Sequence, residues 1–211
     1  MGPINPPTNP LWLGEAPLVL ASKSATRRAL LEAARLPVET VTVEVDERAL
    51  EAQASRRGAG PAAIALELSR AKARAGSAKA PGRLVIGADQ TLALGDDAFH
   101  KPADRAAART QLARLAGNRH ALHSAVAVAL DGAILFETGQ SAHLTMRPLD
   151  SVVLDAYLDA AGDAALSSVG GYQLEGVGIH LFEAVEGDHA VILGLPLLPL
   201  LGFLRDHGAL L

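Results

Sequence analysis

The sequence predicts an α/β domain built on a mixed sheet. Three observations carry this. In the first half, short apolar runs alternate with stretches of helical periodicity, the order of a β-α-β unit. In the middle, apolar runs flank Asp131-Gly132, a two-residue hairpin signal that adds antiparallel strands to the sheet. In the last third, glycines such as Gly170, Gly171, Gly187 and Gly194 break the chain into short apolar segments.

The elements follow in order. Residues 1–17 carry Pro3, Pro6, Pro7, Pro10 and Pro17 and are expected as a loose arm beside a domain spanning 18–211. Residues 18–21 are an apolar run, read as a first buried strand. S-K-S-A-T-R-R at 22–28 then opens a helix with Leu30, Leu31 and Ala34 on one face. Ser22 or Ser24 is its N-cap, and Pro37 ends the unit. Val41, Val43 and Val45 alternate, predicting a half-buried strand over 38–45 that Asp46-Glu47 follow. Pro61 suits a first helical position. Ile64, Leu68, Ala71 and Ala75 form the stripe of that helix, and Gly76 suits its C-terminus.

Residues 84–88 read as a strand delivering Asp89 beyond its carboxyl end. A hairpin turns around Gly95 towards Phe99. Asp104 caps a helix through Ala116, and Asp150 caps another through Ala160. Residues 121–130 and 134–136 flank the hairpin, and 142–146, 179–185 and 190–193 read as strands. The final helix, 195–205, is expected to bury Leu197, Leu200, Leu201 and Leu204.

Composition narrows the function classes. With 211 residues and 49% hydrophobic residues, the chain is long enough to bury a core. It has no cysteine, so disulfides and thiolate metal sites are excluded, which fits a reducing compartment. The net charge of −4 and 3% aromatic content argue against a nucleic-acid-binding module. No stretch reaches the ~20 apolar residues of a membrane span, and no basic, apolar signal peptide opens the chain. A cytoplasmic protein is expected.

Several residues are suited to phosphate chemistry. Lys23, Arg27 and Arg28 lie near a helix N-terminus, with the Ser22 and Ser24 hydroxyls beside them. Two arginines there oppose the helix dipole, which suggests a bound anion. A carboxylate at the carboxyl end of a sheet strand is well placed to hold Mg²⁺ or to orient a water, which draws attention to Asp89. Asp46-Glu47 supply further oxygens, and Lys72 and Lys101 can neutralise a polyphosphate. No P-loop, nucleophile elbow or complete dinucleotide fingerprint occurs. His120 and His123 show no metal spacing and read as structural or exposed.

Eight short motifs then fall in order: S-x-S-x-x-R-R at 22–28, V-D-E at 45–47, A-K-A at 71–73, G-A-D-Q at 87–90, K-P at 101–102, L-E-G-x-G at 174–178, E-G-D at 186–188 and G-L-P-L at 194–197. In combination they resemble the Maf family, the septum formation inhibitor proteins, which are nucleoside triphosphate pyrophosphatases. The resemblance implies a mixed α/β fold like that of inosine triphosphate pyrophosphatases, with a cleft between two lobes. It implies hydrolysis between the α- and β-phosphates, a divalent cation (Mg²⁺ or Mn²⁺) and a cytoplasmic homodimer. It also implies a role in keeping unwanted nucleotides out of nucleic acids, with a link to cell-division arrest.

By motif, Asp89 resembles the family's general base. Asp89 and Glu47 resemble its metal-holding carboxylates. Ser22, Arg27, Arg28, Lys72 and Lys101 resemble its phosphate-binding set. Gln90 and Glu175 stand where subfamilies differ, and here resemble the branch acting on 7-methyl-GTP. Ala25-Thr26 depart from the family pattern, which has Pro there, often followed by Trp in that branch. The alternative expectation is a nucleotide-sensing regulator of division with little turnover.

Overall fold

The computed structural model describes residues 9–211. Among them, seven strands form one sheet, surrounded by eight α-helices. The strand order is β2 (Val38–Thr40), β1 (Leu18–Leu20), β3 (Val85–Leu94), β5 (Arg119–Leu130), β6 (Ala133–Met146) and β7 (Phe182–Glu186), with β4 (Asp97–Phe99) folded back on the far end of β3.

The wholly buried β1 (Leu18–Leu20) runs parallel to β2 (Val38–Thr40) and to β3 (Val85–Leu94). Helix α1 (Ala25–Ala33) crosses between β1 and β2. Ser24 is its N-cap, accepting from the Arg27 backbone N–H at 3.3 Å. The strand expected over 38–45 stops at Thr40. Asp46 opens α2 (Glu47–Arg56) instead, accepting from the Ala49 N–H at 2.9 Å. Residues 41–46 are neither strand nor helix, and Val41 and Val43 pack against Val19, Ala21 and Val85 without continuing the strand.

Helix α3 (Pro61–Ser77) begins at proline as predicted and runs past Gly76. A Cβ on Gly76 would stand 2.7 Å from Ala21 and Val85, so the glycine permits close packing and does not end the helix. Gly87 is tighter still. Its Cβ would fall 2.2 Å from the Ser69 carbonyl oxygen and 2.3 Å from the Ala73 nitrogen. The α3 backbone therefore lies directly on β3.

β3 does not end before Asp89 but carries it mid-strand, then turns at Gly95 into β4 (Asp97–Phe99). Helix α4 (Arg105–Leu115) is capped by Asp104 as predicted. β5 (Arg119–Leu130) pairs antiparallel with both β3 and β6 (Ala133–Met146). The turn residues Asp131 and Gly132 have φ of 47° and 83°, the left-handed pair that a two-residue hairpin requires. β6 is one long strand where two short ones were expected. Helix α5 (Ser151–Ala161) is capped by Asp150, and α6 (Ala164–Ser167) follows.

A 3₁₀ turn at Val177–Leu181 delays β7 to Phe182–Glu186. The strand expected over 190–193 is instead the helix α7 (His189–Ile192), capped by Asp188. A short apolar run has no periodicity of its own, and the cap decides it. In α8 (Leu197–Asp206), Leu200 and Leu204 are fully buried; Leu197 and Leu201 pack at the margin.

Two large apolar clusters result. One joins Leu18, Leu20, Leu31, Ile86, Val128 and Leu200 under α1 and α8. The other joins Leu92, Leu112, Leu144, Met146, Leu154 and Tyr172 under α4 and α5. These are the two lobes.

Residues 1–8 of the expected arm lie outside the described residues. Its second half is docked where a loose segment was expected. Trp12 forms an antiparallel bridge with Leu210 and packs on the α1–α8 cluster, while Leu211 donates to the Leu11 carbonyl at 2.8 Å. Burial of an indole accounts for the difference. Among the described residues, no helix is long and apolar enough to cross a membrane.

Candidate active site

Between the lobes opens a cleft of about 1600 Å³. Its floor comes from the end of β1, the starts of α1 and α2, the middle of α3 and the centre of β3. Its far wall comes from the loop after β4 and from residues 166–175.

Successive strand residues point to opposite faces. Asp89 turns towards α3, and Gln90 turns towards α7. Asp89 is buried, and its Oδ1 accepts from Lys72 Nζ at 2.5 Å. The same ammonium lies 2.8 Å from Glu47 Oε1. Because Gly87 lets α3 rest on β3, the short distance from Lys72 to Asp89 is a backbone property as much as a side-chain one.

Arg27 reaches the cleft from the first turn of α1. Its Nε donates to the Gly194 carbonyl at 2.8 Å. One terminal nitrogen donates to the Ala88 carbonyl at 2.8 Å and to Ser22 Oγ at 3.3 Å. Burial lowers the guanidinium pKa from its usual value, and the Asp89 and Glu47 charges oppose that shift. An arginine remains cationic in such a setting. Arg27 thus holds the Gly194 turn while lining the cleft.

Arg28 does not join it. The residue is exposed and pairs with Glu32 at 2.6 Å along the outer face of α1. Two consecutive helix residues do not face the same point, and Arg28 is not among the residues that line the cleft. Lys101 and Glu175 line the cleft and are exposed. Gln90 also lines it, but its amide nitrogen is engaged, lying 2.9 Å from the Ile192 carbonyl, 3.2 Å from that of Val191 and 3.0 Å from Ser124 Oγ. Ser124 itself donates to the Val191 carbonyl at 2.6 Å.

Sequence reasoning missed Arg48 and Glu51, which line the cleft from α2. Glu47 and Glu51 stand at i, i+4 on one helical face, a signal visible only once α2 is read as a helix. Ser124 was also missed, since an isolated serine in an apolar strand carries no local signal.

The donor set bears on the implied cation. Among the described residues, no group of three or more His, Asp or Glu comes together. Asp89 and Glu47 nonetheless converge on one ammonium. Two carboxylates, completed by water and phosphate oxygens, are what Mg²⁺ commonly takes. The residues fit a cation that arrives with a polyphosphate.

A family model described as Maf-like protein matches residues 17–207. A nucleoside triphosphate pyrophosphatase of Bradyrhizobium diazoefficiens is 58% identical over 197 residues, covering 93% of this chain and 96% of the relative. One of the same name from Rhodopseudomonas palustris is 56% identical over 200 residues, covering 95% and 98%. A 7-methyl-GTP pyrophosphatase of Rhizobium johnstonii is 53% identical over 193 residues, covering 92% and 97%. With cleft residues from Ser22 to Leu193 all inside the matched span, this chain belongs to the Maf-like protein family.

Proposed function

We propose that this chain hydrolyses a nucleoside triphosphate between its α- and β-phosphates, releasing the monophosphate and pyrophosphate. The observation that carries the reading is the buried Asp89 at the floor of a cleft where Arg27 and Lys72 converge. The names of the relatives point to the same reaction.

Ser22, Arg27, Lys72 and Lys101 receive the triphosphate. Asp89 accepts the proton of a water aligned for attack at the α-phosphorus, opposite the departing pyrophosphate. Arg27 needs no reorganisation, because Gly194, Ala88 and Ser22 already hold it, and preorganised charge of this kind stabilises a transition state effectively. A Mg²⁺ or Mn²⁺ ion held by Asp89 and Glu47 would supply Lewis-acid stabilisation of the phosphate charge.

Glu175 selects the base. A carboxylate accepts from paired N–H donors such as those on the Watson–Crick edge of guanine, and a 7-methylated guanine adds a favourable positive charge. Gln90 contributes by fixing Ile192 and Leu193 on the cleft wall. The enzyme works as a cytoplasmic homodimer, removing nucleotides unsuited to nucleic acids.

The test is a panel of 7-methyl-GTP, GTP, dTTP, UTP and CTP with Mg²⁺ or Mn²⁺, with pyrophosphate and orthophosphate measured separately. Pyrophosphate from one base class, lost in Asp89→Asn with nucleotide affinity retained, is the expected outcome. Orthophosphate alone would refute the reaction. Nucleotide binding without product would favour a sensing role.

A further inference from the structure

We infer that Lys72 is an internal counter-ion that excludes the metal until a nucleotide arrives, so that metal and nucleotide bind cooperatively by exchanging salt-bridge partners. This rests on the pyrophosphatase reading above and goes beyond it, since it makes Lys72 a gate as well as a phosphate ligand.

The geometry is specific. One ammonium bridges Asp89 at 2.5 Å and Glu47 at 2.8 Å, the two carboxylates that fit the cation. The Lys72 and Asp89 side chains are 11% and 10% exposed, whereas Glu47 is 54% exposed. The Lys72–Asp89 contact is therefore the shielded one, where screening by water and salt is weakest. Arg27, Lys72, Asp89 and Glu47 together carry two positive and two negative charges. The cluster is balanced as it stands.

A divalent cation arriving alone must displace the ammonium from both carboxylates. It leaves Lys72 and Arg27 without their counter-charges next to two further positive charges, an arrangement that a partly buried site opposes strongly. A triphosphate changes that balance. Its oxygens receive Lys72, and the released carboxylates turn to the metal. Each ligand then raises the affinity for the other by the same factor, as linkage requires.

Removing the ammonium should uncouple the pair. Mn²⁺ alone, titrated into the full chain and followed by the electron paramagnetic resonance signal of the free ion, is expected to bind about tenfold or more tightly to Lys72→Met than to the unaltered protein. Asp89→Asn in the same background is expected to erase that gain. Lys72→Gln, which keeps a hydrogen-bond donor for Asp89 without the charge, is the second variant should Lys72→Met fold poorly. Its circular dichroism melt and its Mn²⁺ affinity are read together. Equal Mn²⁺ affinity in the unaltered protein and either folded variant would overturn the gate and leave the metal site standing. No binding to any form would overturn the metal site itself. Tightening that survives Asp89→Asn would place the ion elsewhere and overturn both.

Discussion

At the scale of single residues, the cleft is defined by who is already engaged. Asp89, Lys72, Arg27 and Gln90 all have protein partners; Glu175 and Lys101 have none among the described residues. Glu175 is thus available to a base without breaking any contact. Glu175→Gln is expected to lower the preference for guanine bases over pyrimidines about tenfold in kcat/KM, with little change in the rate on the poorer substrates. An unchanged substrate profile would remove Glu175 from base selection. His120 belongs to the same scale but not to the chemistry. It is buried beside Tyr172 and Phe182, its Nε2 lies 2.7 Å from the Tyr172 hydroxyl, and burial pushes its pKa down to about 4. The unfolded chain binds this proton near pH 6.5, so stability falls as the pH drops through the window from about 6.5 to about 4, by a few kcal/mol in all. Urea denaturation at a series of pH values should show that slope and should show it flattened in His120→Gln. Equal slopes in the two proteins would contradict it.

Elements show which parts of the fold were legible and which were not. Helices announced by a cap and a stripe, such as α3, α4 and α5, were readable because Pro61, Asp104 and Asp150 mark their starts. The β5–β6 hairpin was readable from two turn residues. The failures have two causes. At 190–193 the apolar run is short, and Asp188 just upstream selects helix by accepting from the Val191 N–H. At 38–45 the strand pairing ends at Thr40, and Val41 and Val43 pack against Val19, Ala21 and Val85 without continuing the strand. Arg27-Arg28 was legible as a pair of cations at a helix start, but not which of the two faces inward, because that depends on the phase of α1 against β3. Asp89 was legible by residue type and motif, while its mid-strand position depends on the reach of β5 beside it. The α3–β3 contact is where local packing becomes activity. Gly87→Ala is expected to cost about 1–3 kcal/mol by overpacking. It should also reduce turnover, since a methyl group at that point lifts Lys72 away from Asp89. A variant that keeps both its melting temperature and its kcat would show that the contact is slack.

Across the whole molecule, the two lobes have separate apolar cores and share one sheet. β3 and β5 are members of both: Ile86 and Val126 belong to one core, Leu92 and Leu122 to the other, with Asp89 midway along β3 between them. Asp89 therefore sits where two separately packed apolar cores meet. The site's breadth follows from the gap between those cores, and no single loop has to be ordered to create it.

The pairing of Trp12 with Leu210, and of Leu11 with Leu211, bears on how the chain could be rewired. The described backbone traces an almost closed ring, whose seam lies beside the α1–α8 core. A ring can be opened anywhere its curvature is carried by an exposed turn. A circular permutant that joins Leu211 to Leu11 through a few glycines and starts anew at Gly132 should fold and keep its turnover, because neither the weld nor the cut touches a cleft residue. Circular dichroism and the pyrophosphate assay on that permutant would decide it: an inactive but folded product would mean that the order of synthesis, and not the final set of contacts, shapes the cleft.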